Sequence, residues 1–347
     1  MTAPRDYSLT GPEAARAAER GLAKARWYQT PLPREQLAAL MVRTDQPAIR
    51  DTLLWFAAFA ATGLGGFLTW GTAWCIPFFA AYGVLYGSST DSRWHECGHR
   101  TAFRTPWMND AVYHLACFMI LREPDVWRWS HTRHHLDTIV VGRDPEIAAP
   151  RPPNLALIML SFLGLPQLRA YATNLWRHAR GRFDAEEATY IPAHARPAVF
   201  RAARIHAAIH ATALGGAFAA GSILPLMYVG LPSLYGAWLY IVTGLTQHAG
   251  LAEDVLDHRL NCRTVYMNPV IRFLYWNMNY HVEHHMFPMV PYHRLPELHA
   301  AIRHDTPTPY PSIPAAYREI IPTLLRQRRD PAHFARRPLP VAPAPSA

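Results

Sequence analysis

Two long stretches of this chain carry no charge. Residues 53–90 contain no Asp, Glu, Lys or Arg, and neither do residues 205–252. A helix that crosses a bilayer needs roughly 20 apolar residues. The first block, "TLLWFAAFAATGLGGFLTWGTAWCIPFFAAYGVLYG", fits two such helices meeting near residues 71–73. The second, "IHAAIHATALGGAFAAGSILPLMYVGLPSLYGAWLYIVTGLTQH", fits two more, broken near residues 221–225. The pattern predicts an all-α integral membrane protein with four transmembrane helices in two hairpins, at 52–70, 73–89, 205–222 and 225–247. The runs 111–121 and 155–165 are about a dozen residues each, too short to span, and read as interfacial or re-entrant.

The polar flanks complete the organisation. Residues 1–50 carry charges throughout, show no secretory signal pattern and form a cytoplasmic segment. Within it, 11–43 reads as one or two amphipathic helices interrupted at Pro31 and Pro33. Residues 51–300 form the membrane domain, and 301–347 a cytoplasmic tail whose Pro-rich end, "RRPLPVAPAPSA", is expected to be disordered. A mean hydropathy of −0.07 looks soluble only because it averages apolar blocks with Arg-rich flanks.

Charge sets the orientation. Both hairpin tips lack Lys and Arg, whereas Arg93, Arg100, Arg104, Arg122, Arg128 and Arg133 crowd the segment between the hairpins. Arg303, Arg318, Arg326, Arg328 and Arg329 follow the second hairpin. The positive-inside rule then puts both termini and the middle segment in the cytoplasm, with a bacterial inner membrane as the expected location. The formal charge of +9 reads as attraction to a membrane surface or an acidic protein partner. Nucleic acid is not an expected partner, since the basic residues hug the membrane edges and no recognition fold is visible. Cys75, Cys97, Cys117 and Cys262 form no C-x-x-C, so reduced thiols are expected.

Histidines supply the chemistry. His95 and His99 stand four apart in "WHECGHRTAF"; His131, His134 and His135 form H-x-x-H-H; His281, His284 and His285 repeat it. On a helix, positions i, i+3 and i+4 share a face, so each cluster aims its imidazoles at one point. His248 closes the second hairpin. With four spans, all three clusters fall on the cytoplasmic side. Eight or nine imidazoles overfill one tetrahedral zinc and suit two metals of higher coordination, with iron the redox metal that fits nitrogen ligands. Two irons beside a membrane suggest O2 activation on a lipid-soluble substrate. The competing reading is a membrane zinc metalloprotease using His95-Glu96-x-x-His99. It leaves the other two clusters idle, and the second hairpin has no acidic residue before Glu253. A metal transport protein is a third reading, for which His206 and His210 are the only hint of a polar path.

Three boxes in this order around two hairpins resemble the membrane fatty acid desaturase/hydroxylase superfamily, from about Leu53 to His299 and most densely in "NMNYHVEHHMFPMVPYHRLPELH" and "HTRHHLDTIVVGRDPEI". The resemblance implies a cytoplasmic helical cap holding a non-haem di-iron site, with two iron ions and O2 as co-substrate. It implies metal ligation by His95, His99, His131, His134, His135, His281, His284 and His285, with His248 as a ninth ligand and no catalytic residue beyond the metal centre. Some relatives carry Asn four residues before that last histidine; here the position is Gly244. Glu96, Asp144, Asn279 and Glu283 are then candidates to orient imidazoles through their second nitrogens. The implied activity is desaturation of an acyl chain or similar lipid-like substrate; the alternative is hydroxylation of a non-fatty-acid substrate by the same superfamily. Electrons would come from an external donor such as a ferredoxin and its reductase, docking near Arg128 and Arg133.

Overall fold

The helices grow from the apolar blocks in the expected order, but several ends differ from the expected ones. The computed structural model describes residues 5–340. Among these there is no strand, only the isolated bridges Thr264 to Tyr280 and Val265 to Tyr310. The expected disorder of residues 341–347 lies outside the described residues. The chain divides into two compact units, one from residues 44–131 and 155–242, the other from 5–43, 132–154 and 243–340.

In the first unit, helix Gln46–Leu68 stands where a span was expected at 52–70. It is the only helix among the described residues that is, unbroken, long and apolar enough to cross a membrane, with a mean hydropathy of 1.3. After a turn, helix Cys75–Gly83 continues through a π turn, Val84–Ser88, into helix Thr90–Gly98. A π turn holds an extra residue, which rotates everything after it by about 100° and loosens the backbone hydrogen bonds. The indole of Trp55 donates to the Leu85 carbonyl at 2.9 Å, and the Ser89 hydroxyl to the same oxygen at 2.7 Å, satisfying it. The expected second span, 73–89, thus runs on as helix to carry His95 and His99.

The third expected span, 205–222, forms helix Arg196–Ala219, which begins earlier on Arg-bearing turns. The fourth, expected unbroken at 225–247, is corrected: it is three pieces, Leu224–Tyr228, Pro232–Tyr235 and Trp238–His248. Pro232 has no N–H and its ring would clash with the carbonyl four residues back. Gly230 turns the chain at φ +94°, a conformation L side chains rarely adopt. Gly236 lies so close to Gly83 that a Cβ there would sit 1.8 Å from the Gly83 carbonyl oxygen. The break is therefore built into the segment expected at 225–247.

Of the shorter runs, 111–121 lies in helix Pro106–Met119, and 155–165 opens a pair, Leu155–Ser161 and Leu165–Ala179, bent by 83°. Many apolar side chains in this unit have no protein cover, Phe218 at 90% and Trp74 at 74% exposure among them. The same unit holds a buried strut. His178 meets both carboxylate oxygens of Glu123 with Nδ1 at 2.9 Å, and Glu187 with Nε2 at 3.0 Å. Carboxylates only accept, so a ring bonded at both nitrogens is doubly protonated. The strut ties the start of helix Pro124–Leu136 to helix Leu165–Ala179.

In the second unit, the N-terminal segment forms the short helices Pro12–Glu19 and Arg34–Leu40. Arg5 bridges Glu13 at 3.0 Å and Asp254 at 2.5 Å. Trp27 stacks on His258 with ring centroids 4.2 Å apart, and Tyr28 donates to Asp305 at 2.6 Å. Ser312 caps helix Ile313–Gln327 by accepting from the Ala315 N–H.

Candidate metal centre

In the first unit, helix Thr90–Gly98 and its C-terminal residue carry His95 and His99, one turn apart, while His131 comes from helix Pro124–Leu136. The Nε2 atoms of His99 and His131 are 3.1 Å apart, and the His95 and His131 rings meet edge to face at 4.1 Å. One ligand atom from each of the three lies within 4.8 Å of the others. Trp94 packs edge-on against His131 at 5.1 Å. Its indole N–H donates to Asp91, which also accepts from Arg122, and the Arg122 guanidinium lies over both the Trp94 and Trp127 rings.

In the second unit, His134 and His135 continue the same helix, His248 ends helix Trp238–His248, and His281, His284 and His285 sit on helix His281–Met286. Their Nε2 atoms converge in pairs: His281 to His248 at 2.9 Å, His285 to His281 at 3.0 Å, His284 to His135 at 3.3 Å. Ligand atoms of His134, His248 and His285 also fall within 4.8 Å of one another.

Neighbours set the tautomers. Nδ1 of His248 donates to the Asn261 carbonyl at 2.7 Å, which leaves Nε2 as a lone pair. The Thr138 hydroxyl donates its single proton to the His134 carbonyl at 2.7 Å, so its oxygen can accept from His285 Nδ1 at 3.3 Å. His285 Nε2 is thereby also free to bind a cation. Asp144 takes His134 Nδ1 at 2.9 Å and is held by the N–H groups of Ile139 at 2.7 Å and Glu146 at 2.8 Å. A metal-binding imidazole commonly hands its other N–H to a carboxylate or carbonyl in this way. Nitrogen lone pairs 2.9–3.3 Å apart repel unless a proton or a cation lies between them, so the donor set fits a bound metal.

Of the four proposed orienting residues, Asp144 meets a ring of the three boxes. Glu283 accepts from Thr264 at 2.5 Å and pairs with His299 at 2.5 Å, fastening its helix to helix Leu295–Ile302. Asn279 donates to the Val265 carbonyl at 2.9 Å. Glu96 accepts from Thr101 at 3.1 Å. Arg128 and Arg133, expected to greet an electron donor, are committed within the chain: Arg128 to Asp110 at 3.2 Å and over the Tyr113 ring, Arg133 to Asp137. His206 and His210 both meet the Tyr171 hydroxyl, at 3.0 and 3.3 Å. His258, which belongs to none of the three boxes, is buried beside Cys262 and His285. Its H-x-x-x-C spacing to Cys262 was the available signal.

Burial keeps the rings ligand-ready. Burial first, then the nearby His134, hold His284 down to about 3, and the same two causes hold His258 at about 3. Burial and four neighbouring histidines push His285 well below the ordinary value. The folded form thus refuses protons that the unfolded chain, at 6.5, accepts. The stability that these neutral rings contribute to metal-free protein is then full above pH 6.5 and is lost as pH drops from 6.5 towards 3. Thermal unfolding in detergent with chelator, stepped down from pH 6.5, is expected to show a falling midpoint; a flat profile would contradict neutral burial.

The profile of the fatty acid desaturase family matches residues 70–317. The omega-3 fatty acid desaturase of Glycine max chloroplasts is 27% identical over 277 residues, 74% of this chain and 59% of that protein. The sn-2 acyl-lipid omega-3 desaturase (ferredoxin) of Helianthus annuus chloroplasts is also 27% identical, over 74% of this chain and 60% of its own length. The acyl-lipid omega-3 desaturase (cytochrome b5) of the Arabidopsis thaliana endoplasmic reticulum is 23% identical over 300 residues, 80% of this chain and 72% of that protein. The chain spans about 60% of the length of the first two relatives. A family profile that covers more than half the chain and includes every histidine of the three boxes leads to one assignment: this protein belongs to the fatty acid desaturase family.

Proposed function

We propose that this chain is an O2-dependent di-iron oxidoreductase that desaturates an acyl chain or similar lipid-like substrate at a membrane. The observation that carries the reading is the convergence of Nε2 atoms 2.9–3.3 Å apart, with Asp144, Asn261 and Thr138 engaging the opposite nitrogens of His134, His248 and His285. In this reading His95, His99, His131, His134, His135, His248, His281, His284 and His285 ligate two irons. Two irons, when bound and reduced, supply the O2-derived oxidant able to attack an unactivated C–H bond. The protein's part is to hold neutral imidazoles in place, fix their tautomers, and exclude water from the rings by burial. Glu96, Asn279 and Glu283 act by holding the segments that carry the histidines.

The name of one relative includes ferredoxin and that of another cytochrome b5; a small one-electron carrier of either kind suits this chain, whose net charge of +9 favours an acidic one. Uncovered apolar surface on the first unit supports a membrane setting. The arginine asymmetry supports cytoplasmic termini and a cytoplasmic metal site, in a bacterial inner membrane.

The test is metal analysis of detergent-purified full-length protein, followed by incubation with acyl lipids, O2 and a reduced one-electron donor. Two irons per chain and a product lacking two hydrogens support desaturation. A product gaining one oxygen supports the hydroxylase reading. One zinc per chain and no O2-dependent product would overturn both and restore the hydrolase built on His95, Glu96 and His99.

A further inference from the structure

His258 and Cys262 bracket the four-residue helix His258–Asn261 and its exit, one turn apart. Both are buried, at 3% and 0% exposure, as is His285 at 3%. One donor atom from each of His258, Cys262 and His285 lies within 4.8 Å of the other two. The Cys262 sulfur is 4.0 Å from His258 Nδ1. On its far face His258 is covered by Trp27, whose ring lies within 3° of parallel. The thiol's other close contacts are the Asn261 side-chain oxygen at 3.2 Å and His248 Nδ1 at 3.7 Å, the latter committed to the Asn261 carbonyl.

This donor set differs in kind from the boxes. Imidazole nitrogen alone suits iron, whereas a thiolate draws zinc, cadmium and copper(I). With metal–sulfur bonds of about 2.3 Å and metal–nitrogen bonds of about 2.0–2.1 Å, tetrahedral to trigonal geometry separates N and S by about 3.5–3.8 Å. The observed 4.0 Å needs a contraction of a few tenths of an ångström, within reach of side-chain rotation.

We propose that His258, Cys262 and His285 form a second metal site, in which two imidazole nitrogens and one thiolate sulfur hold a thiophilic divalent ion of the zinc class, distinct from the histidine-only centre. On binding, the Cys262 S–H bond breaks, a sulfur–metal bond forms, and the proton leaves to solvent. His285 is shared with the proposed iron ligands. The ion and a full iron complement therefore compete for one imidazole, and a thiophilic ion displaces the ligand from iron. Only that consequence rests on the di-iron reading; the binding does not.

The probe is cadmium(II) titrated into metal-free full-length protein in detergent, followed by the near-ultraviolet thiolate-to-cadmium absorption. One equivalent is expected to raise the band, Cys262→Ser to abolish it, and His258→Gln to weaken cadmium affinity at least tenfold. A variant replacing Cys75, Cys97 and Cys117 keeps Cys262 as the sole thiol and is expected to retain the band. Absence of the band in the parent, or its survival in Cys262→Ser, overturns the site. If Cys262→Ser does not fold, unchanged cadmium affinity in His258→Gln overturns it equally. Because iron is absent from this titration, failure of the di-iron reading leaves the result intact. In iron-loaded protein, release of iron on cadmium addition supports the competition, and iron retained beside bound cadmium overturns that part.

Discussion

His284→Ala is expected to lose iron and with it O2-dependent turnover by at least a thousandfold, equivalent to about 4 kcal/mol of barrier. The ring is fully buried, and its Nε2 stands 3.3 Å from that of His135. Alanine removes one lone pair of a converging pair and leaves no side chain able to reach the position. Iron content and turnover should therefore fall together. His304→Ala, at an exposed position, serves as the matched control and should keep both. Full iron content in His284→Ala with activity intact would remove box three from the metal centre. A second readout separates ligation from packing. The metal-free variant no longer carries a ring held at about 3, so its stability should fall less between pH 6.5 and 3 than the parent's.

Asp144→Asn should weaken iron retention and turnover by about tenfold to a hundredfold, the usual effect of removing a carboxylate partner from a metal-binding imidazole. The chain gives a specific account of why the loss is partial. The asparagine oxygen can still accept from His134 Nδ1, but the negative charge that makes the ring a better ligand is gone. Burial opposes a raised pKa at His134, yet its pKa is raised because Asp144 lies against it. The asparagine NH2 also cannot accept from the Glu146 N–H, so the turn 139–146 loses one of its ties. Asp144→Ala removes the Ile139 tie as well and should be worse on both measures. The measurement is the rate of iron release to a chelator, compared with thermal stability of the same variants. Release rates equal to the parent's would reduce Asp144 to a structural turn residue.

What was legible in the sequence is what local geometry carries. Helical class follows from two charge-free blocks, and each imidazole cluster follows from spacings of three and four along a helix, because the 3.6-residue period acts within one or two turns. His95 with His99, and His281 with His285, needed no tertiary information. The breaks were only half legible: Pro232 and Gly230 stand in the sequence, but the contact of Gly236 with Gly83 joins residues far apart in the chain. The π turn at Val84–Ser88 leaves no pattern in a uniformly apolar stretch, since its carbonyl is satisfied from Trp55 in another helix.

The tertiary structure alone decided which polar residues face which imidazoles. Asp144 lies ten residues beyond His134 and reaches back across a turn, whereas Glu283, adjacent to His284, points to His299 instead. Adjacent helical residues project about 100° apart, so closeness along the chain did not tell which of these candidates faces an imidazole. His258 shares a helix face with Cys262 four residues on, but its third partner, His285, arrives from a separate helix, which only the tertiary structure shows. The charge of Arg128 was visible, but its engagement with Asp110 depends on how the helices fold back, whereas Arg133 pairs with Asp137 only four residues on. Sequence periodicity placed the histidine clusters; the packing of separate segments chose their tautomers, their supports and the thiol beside them.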